Sequence, residues 1–343
     1  MIFLDIGIIG GDLRIIKLAE LYAKEGNNVY AYGIEKYYDL EMENNLGKEI
    51  DLKEKKHTFK NIYICNNIEE TIKNVKIIIS AIPFSKDGTY INAPFSSKKI
   101  EIEDLEKKII YKIDNKHKTE NINGISSSRE TLKFIAGGIP KKFLKECEIL
   151  KNEKDLIFSQ NNDNQLNEKF KIADIKIIDL LQNEKLTILN AIATVEGTIK
   201  IAIQEREESI FESNILICGY GRIGKIMCDR FNSLGANVYC TARKEKDLTW
   251  MREKGYTPLT YDEVPKIGAK IDIVINTVPS LVLNEKEIDS FKQDILMIDV
   301  ASAPGGINKE YSKRKGIRLI TALGIPGKEM PKTAAKFIKE SII

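Results

Sequence analysis

Gly219, Gly221 and Gly224 stand in the string GYGRIG, a G-x-G-x-x-G, and the chemistry this spacing serves is the holding of a dinucleotide. Gly219 would make the tight turn, Gly221 would let the backbone approach a pyrophosphate, and Gly224 would let the following helix pack on its strand. Tyr220, Arg222 and Ile223 fill the positions between them. The free N–H groups of the helix start would then face the phosphates. The string is informative only between a strand and a helix. Both are readable here: an apolar run at residues 215–218, a helical pattern to Leu234 stopped by Gly235, and a second apolar run at residues 238–241.

At the end of that second run, about 20 residues on, an NAD site usually carries Asp or Glu for the ribose hydroxyls. This chain has Thr241, Ala242, Arg243 and Lys244. A hydroxyl beside two cations suits a 2′-phosphate, so the expected cofactor is NADP, with NAD open if an acid elsewhere serves the ribose. Two later strings, INTVPS at 275–280 and DVASAPGG at 299–306, also follow apolar runs. Carboxyl ends of strands line the ligand crevice of an open α/β sheet. Thr277, Val278, Pro279 and Ser302, with Gly305 and Gly306, therefore belong beside the nicotinamide and substrate, unless they are plain turns.

Near the start, GGDLR at 10–14 follows another apolar run but lacks the third glycine. Arg14 could pair bidentately with a substrate carboxylate; its position suits a surface charge on a first helical turn equally well. Farther on, TVEGTIKIAIQE reads as a helix with Thr194 as N-cap and Glu196 in its first turn.

The elements that must position these residues repeat one grammar, a strand, a glycine turn and a helix, at residues 5–26 and again at 213–244. Further strands are expected within 28–33, 73–85, 132–138 and, after residue 271, in IDIVINTVP, DILMIDVAS and GIRLITALG. Residues 41–61 and 107–128 are polar and read as surface excursions, and residues 151–171 as a mostly solvated helix or a loop. Alternating strands and helices predict an α/β chain of two doubly wound domains. The first, residues 1–187, is a flavodoxin-like or Rossmann-like domain for substrate and partner. The second, 188–320, is an NAD(P)-binding Rossmann domain. Residues 321–343 form a C-terminal segment and helix, of the kind that in two-domain dehydrogenases often crosses back, though its residues do not show it.

The 343 residues are enough for about two domains. A net charge of +3 spread over that length gives no electrostatic case for a nucleic-acid or membrane partner. Five cysteines (Cys65, Cys147, Cys218, Cys228, Cys240) without a C-x-x-C pair suit reduced buried thiols rather than disulfides or a metal site. His57 and His117 are the two histidines, both among lysines in polar stretches, which argues against zinc hydrolysis or a histidine triad. The N-terminal run is too short to cross a bilayer and no later stretch reaches about 18 apolar residues, so a soluble, cytoplasmic protein is expected.

NAIATVEGTI (190–199), CGYGRIG (218–224), INTVPSLVLN (275–284), DVASAPGG (299–306) and LGIPGKEMPKTAA (323–335), with GGDLR, together resemble the family of dipicolinate synthase A subunits of endospore-forming bacteria. The resemblance is dense after residue 172 and thin between 34 and 130. It implies a sporulation oxidoreductase acting with a flavoprotein-like B subunit of the same synthase. That enzyme would oxidise dihydrodipicolinate, or its hydrated tetrahydro precursor, to dipicolinate, with NADP taking the hydride. Aromatising the ring supplies the driving force, so such a site needs a hydride acceptor, orientation and carboxylate anchors more than a strong acid. The expected anchors are Arg14 and the N–H groups from Thr194 to Gly197, with Glu196 or Asp12 taking the ring proton. The rivals are a 2-hydroxyacid or alanine dehydrogenase-like enzyme, which would want a histidine or lysine acid/base, and a non-catalytic NADP-binding scaffold.

Overall fold

The computed structural model describes residues 4–45, 60–123, 132–140, 143 and 175–342. It divides into two units, Met1–Leu186 with Ala335–Ile343, and Thr187–Ala334. Each is built on a six-stranded parallel sheet.

In the first unit the strands are β1 (Asp5–Ile9), β2 (Asn28–Tyr32), β3 (Ile62–Ile64), β4 (Ile77–Ser80), β5 (Leu132–Ala136) and β6 (Ile175–Asp179). Their order is β3-β2-β1-β4-β5-β6. This is the doubly wound 3-2-1-4-5-6 arrangement of dinucleotide-binding folds, which settles the first domain as Rossmann-like and removes the flavodoxin-like alternative. β1 is almost wholly apolar because a parallel sheet is covered on both faces. Ile6 and Ile8 enter one core with Ile15, Leu18 and Ala19 of the helix Leu13–Lys24, while Ile9 enters the other with Phe84 and Phe134.

The part of the last helix, Pro331–Ile342, from Ala335 onward completes this unit. Its Ala335 and Ile338 are fully buried in the first core, and Lys339 lies over the Tyr22 ring and pairs with Glu25.

The second unit repeats the plan with β7 (Asn214–Cys218), β8 (Asn237–Thr241), β9 (Thr257–Leu259), β10 (Ile273–Asn276), β11 (Leu296–Asp299) and β12 (Arg318–Thr321), in the order β12-β11-β10-β7-β8-β9. Period-two alternation splits β7 between two cores: Ile215 and Ile217 pack with Met227 and Phe231, Leu216 and Cys218 with Val274 and Met297.

Several expectations are corrected. The stretch from 107 to 123, expected as a surface excursion, belongs to the helix Ile102–Asn123. The helix expected to begin at Thr194 begins ten residues earlier, as Glu184–Gln204, with the Asn183 side chain accepting the Leu186 N–H at 3.0 Å. By length and composition that helix could cross a bilayer, an 18-residue window in it reaching a mean hydropathy of 1.5, although it holds no run of 18 apolar residues. Its apolar residues Val195 and Ala202 fill the second unit's core. His57, Cys147 and residues 151–171 lie outside the described residues.

Candidate functional site

In the second unit the carboxyl end of β7 runs into Gly219, whose φ of +96° is a left-handed conformation that favours glycine. Gly221 is the N-cap of the helix Arg222–Ser233, and no side chain caps its N–H groups. A Cβ at Gly221 would meet nothing within 4 Å, so the space over the helix start is open. A Cβ at Gly224 would instead fall on the carbonyl oxygen of Gly219. The three glycines thus divide the work as their spacing predicts: turn, open approach, close packing. An uncapped start on a 12-residue helix offers backbone donors and the positive end of the dipole, the donor set a pyrophosphate needs. The residues present fit a dinucleotide.

Tyr220 is half-buried between the glycines, with its phenol pushed up to about 12 by burial first and by neighbouring thiols and carboxylates second. Beneath the turn lie Cys218, Cys228 and Cys240, free buried thiols. Burial raises Cys218 to about 12, so it sits as an inert neutral packing group.

Thr241 is fully buried, and its hydroxyl accepts the Gly219 N–H at 3.1 Å. It therefore builds the glycine turn and is not part of a 2′-phosphate pocket, which corrects its expected role. Arg243 and Lys244 are exposed at the end of β8, and Lys244 is the N-cap of the helix Glu245–Glu253 without a side-chain cap.

At the end of β10 the Thr277 hydroxyl donates to the Cys218 carbonyl at 2.8 Å. Val278 Cγ2 and Thr277 Oγ1 would lie 2.6 and 2.8 Å from a Cβ at Gly219, so this loop and the glycine turn abut. Pro279 and Ser302 are exposed beyond the ends of β10 and β11. Sequence reasoning passed over Asn276 and Asp299. Both are fully buried at the last positions of β10 and β11, and Asn276 Nδ2 donates to Asp299 Oδ1 at 2.8 Å.

The first unit has the same topology but a different turn. Gly10 and Gly11 both have positive φ, and their N–H groups are taken by the carbonyls of Tyr32 and Asn92. The helix Leu13–Lys24 is capped by Asp12, whose carboxylate accepts the Arg14 N–H at 3.0 Å. An acidic side chain of the chain itself holds the place an anion would take. Arg14 is no exposed surface charge. It is 6% exposed, gives Nε and Nη2 to the Asp12 carboxylate, and donates from Nη2 to the Ile82 carbonyl. Asp12 and Arg14 therefore meet each other, and the guanidinium is engaged by the Asp12 carboxylate and the Ile82 carbonyl.

The anchor expected from Thr194 to Gly197 is also corrected. These residues lie inside a helix, where backbone N–H groups are consumed by the preceding turn. The Thr194 hydroxyl bonds back to the Asn190 carbonyl at 2.8 Å, and Gly197 is small because a Cβ there would fall on Ile325. Glu196 is exposed on the same helix.

Residues 5–117 match the family model of the N-terminal domain of the dipicolinate synthase A subunit. Residues 191–307 match that of the D-isomer specific 2-hydroxyacid dehydrogenase, NAD binding domain. The dipicolinate synthase A subunit of Bacillus subtilis (strain 168) is 39% identical over 163 residues, 48% of this chain and 55% of that protein. The match thus spans about half the length of this curated relative. The crystal structure of the dipicolinate synthase A subunit from Bacillus halodurans is similar with a TM-score of 0.66 at 23% identity, covering 99% of this chain and 96% of that one. That of the same synthase's A chain from Bacillus subtilis also gives 0.66, at 25% identity, covering 100% and 95%.

Proposed function

The chain is a relative of the dipicolinate synthase A subunit whose second unit holds an NAD-binding dehydrogenase domain, and on that premise we propose that it is the cytoplasmic, NADP-dependent component that forms dipicolinate in sporulating cells. Dihydrodipicolinate would lose a hydride to oxidised NADP and a proton to solvent, giving dipicolinate, NADPH and H⁺. When bound, the cofactor supplies the two-electron acceptor.

The observation that carries the reading is the open, uncapped helix start at Gly221. It would bind the pyrophosphate, with Arg222 and Ile223 continuing the helix. Arg243 and Lys244 favour the 2′-phosphate, since no acid stands between Thr241 and Lys244. Thr277, Val278 and Pro279 would border the nicotinamide, and Ser302 the substrate. At the first unit, the carboxylate of a small anionic ligand would reach Arg14 by replacing Asp12 on the guanidinium, an exchange that conserves charge. The hydrated tetrahydro precursor would serve equally if the partner, the flavoprotein-like B subunit, dehydrates it.

The test is NADPH formation from synthetic dihydrodipicolinate, with the chain alone and with that partner added. Chain-dependent NADPH supports the reading; none under either condition overturns it. A second reading, an NADP-binding scaffold that leaves the chemistry to its partner, is favoured by the mutual pairing of Asp12 and Arg14. Its signature is tight NADP binding with no turnover by the chain alone, and turnover that the partner supports without the chain.

A further inference from the structure

The glycine turn after β7 and the end of β8 lie on one side of the point where the strand order reverses; the ends of β10 and β11 lie on the other. A dinucleotide whose pyrophosphate is held at Gly221 extends its remaining half over those ends. Asn276 and Asp299 close β10 and β11 as direct partners in the register. They are fully buried after runs of Ile, Val, Leu and Met, where an apolar residue would satisfy the sheet at lower desolvation cost.

Their hydrogen bonds go to two loops. Asn276 accepts the Val278 N–H at 3.1 Å and donates to the Val278 carbonyl at 2.9 Å. Asp299 Oδ1 accepts the Ala301 N–H at 3.1 Å, and Oδ2 accepts the Gly306 N–H at 3.0 Å. The bond between the pair ties the loop 277–280 to the loop 301–306. The glycines of the second loop are shaped to this join. A Cβ at Gly305 would lie 2.5 Å from Asp299 Oδ2, and one at Gly306 2.6 Å from Asn276 Nδ2. Since Val278 and Thr277 also abut Gly219, one wall runs from the glycine turn through both loops.

We propose that Asn276 and Asp299 are positioning residues for the nicotinamide end of the cofactor, setting loops 277–280 and 301–306 in their binding geometry before it arrives. This rests on the reading that the second unit binds NADP.

The experiment titrates the full chain with NADP and with its nicotinamide-free fragment, 2′-phospho-ADP-ribose. In Asp299→Asn, affinity for NADP should fall by about tenfold, the equivalent of ~1.4 kcal/mol, with the fragment unchanged within about twofold. The swap Asn276→Asp with Asp299→Asn restores one donor–acceptor pair and should recover part of the loss. Amide hydrogen exchange on the unsubstituted, cofactor-free chain should show Val278, Ala301 and Gly306 already protected. Equal loss of NADP and fragment, or free exchange of those three amides before cofactor is added, would overturn the proposal, and the exchange result decides even if Asp299→Asn fails to fold. Failure of the unsubstituted chain to bind either ligand overturns the cofactor reading itself, and is distinct from both.

Discussion

The Thr241 hydroxyl and the Gly219 amide are joined at 3.1 Å across β7 and β8, so the residue that ends one strand fixes the turn that leaves the other. The same N–H also reaches the Thr241 carbonyl at 3.2 Å. Replacing Thr241 by Val keeps the volume and removes the hydroxyl acceptor. The expected cost is about 1 kcal/mol of stability. NADP and NAD should weaken equally, because the side chain is buried and reads neither ribose. Denaturant unfolding with parallel titrations of both cofactors checks this; a loss confined to NADP would return Thr241 to the 2′-phosphate.

Gly221 and Gly224 should respond to substitution in opposite ways. Gly221→Val places its side chain in open space and should leave the melting temperature nearly unchanged while abolishing cofactor binding. Gly224→Ala drives a methyl group into the Gly219 carbonyl and should cost at least ~1–3 kcal/mol of stability. A melting curve beside a cofactor titration separates the two. Tight binding by Gly221→Val would remove the pyrophosphate from this turn.

Arg243 is exposed at the end of β8, beside the proposed position of a 2′-phosphate. Arg243→Ala should weaken NADP by about 1–3 kcal/mol, the usual worth of a hydrogen bond to a charged group, and leave NAD nearly unaffected. Isothermal titration with each cofactor gives the answer directly. Equal losses would mean that Arg243 does not discriminate.

Arg14 is buried against Asp12, so its removal should be felt first in stability. Arg14→Met leaves a largely buried carboxylate without its cation, and a cost of about 2–3 kcal/mol is expected, below that of a fully buried pair because Asp12 keeps some exposure. Arg14→Lys keeps the charge but loses the fork and should fall between. Urea unfolding reads both. A change under about 0.5 kcal/mol would mark Arg14 as a solvated surface residue.

The residues around Gly219 were legible in the sequence because three local signals agree there: an apolar strand, a glycine spacing with a steric reason for each position, and a glycine stop. The strands that sequence reasoning missed, β3, β6 and β9, all lie at the edges of their sheets. Two of them have three residues each, the third is only half-buried, and β9 carries Pro258, tolerated there because an edge strand can spare an N–H. Thr194 misled because Thr-Val-Glu imitates a capped start, whereas the apolar pattern continues upstream to Asn183. The first unit was the harder half: its family resemblance looked thin from residue 34 on, yet the N-terminal domain match runs to residue 117. Its turn hides its relation to the second unit, since Asp12 replaces the third-glycine logic with a self-made cap. Asn276 and Asp299 left a faint signal, one polar residue closing each of two apolar runs.

The return of the helix Pro331–Ile342 to the first unit bears on the order of synthesis. Ala335 and Ile338 are translated after the whole of Thr187–Ala334, so the second unit can close its core during translation while the first waits for its last helix. A nascent chain halted just after Ala334 would carry a finished second unit beside an unfinished neighbour with an apolar groove exposed, the kind of surface that chaperones hold.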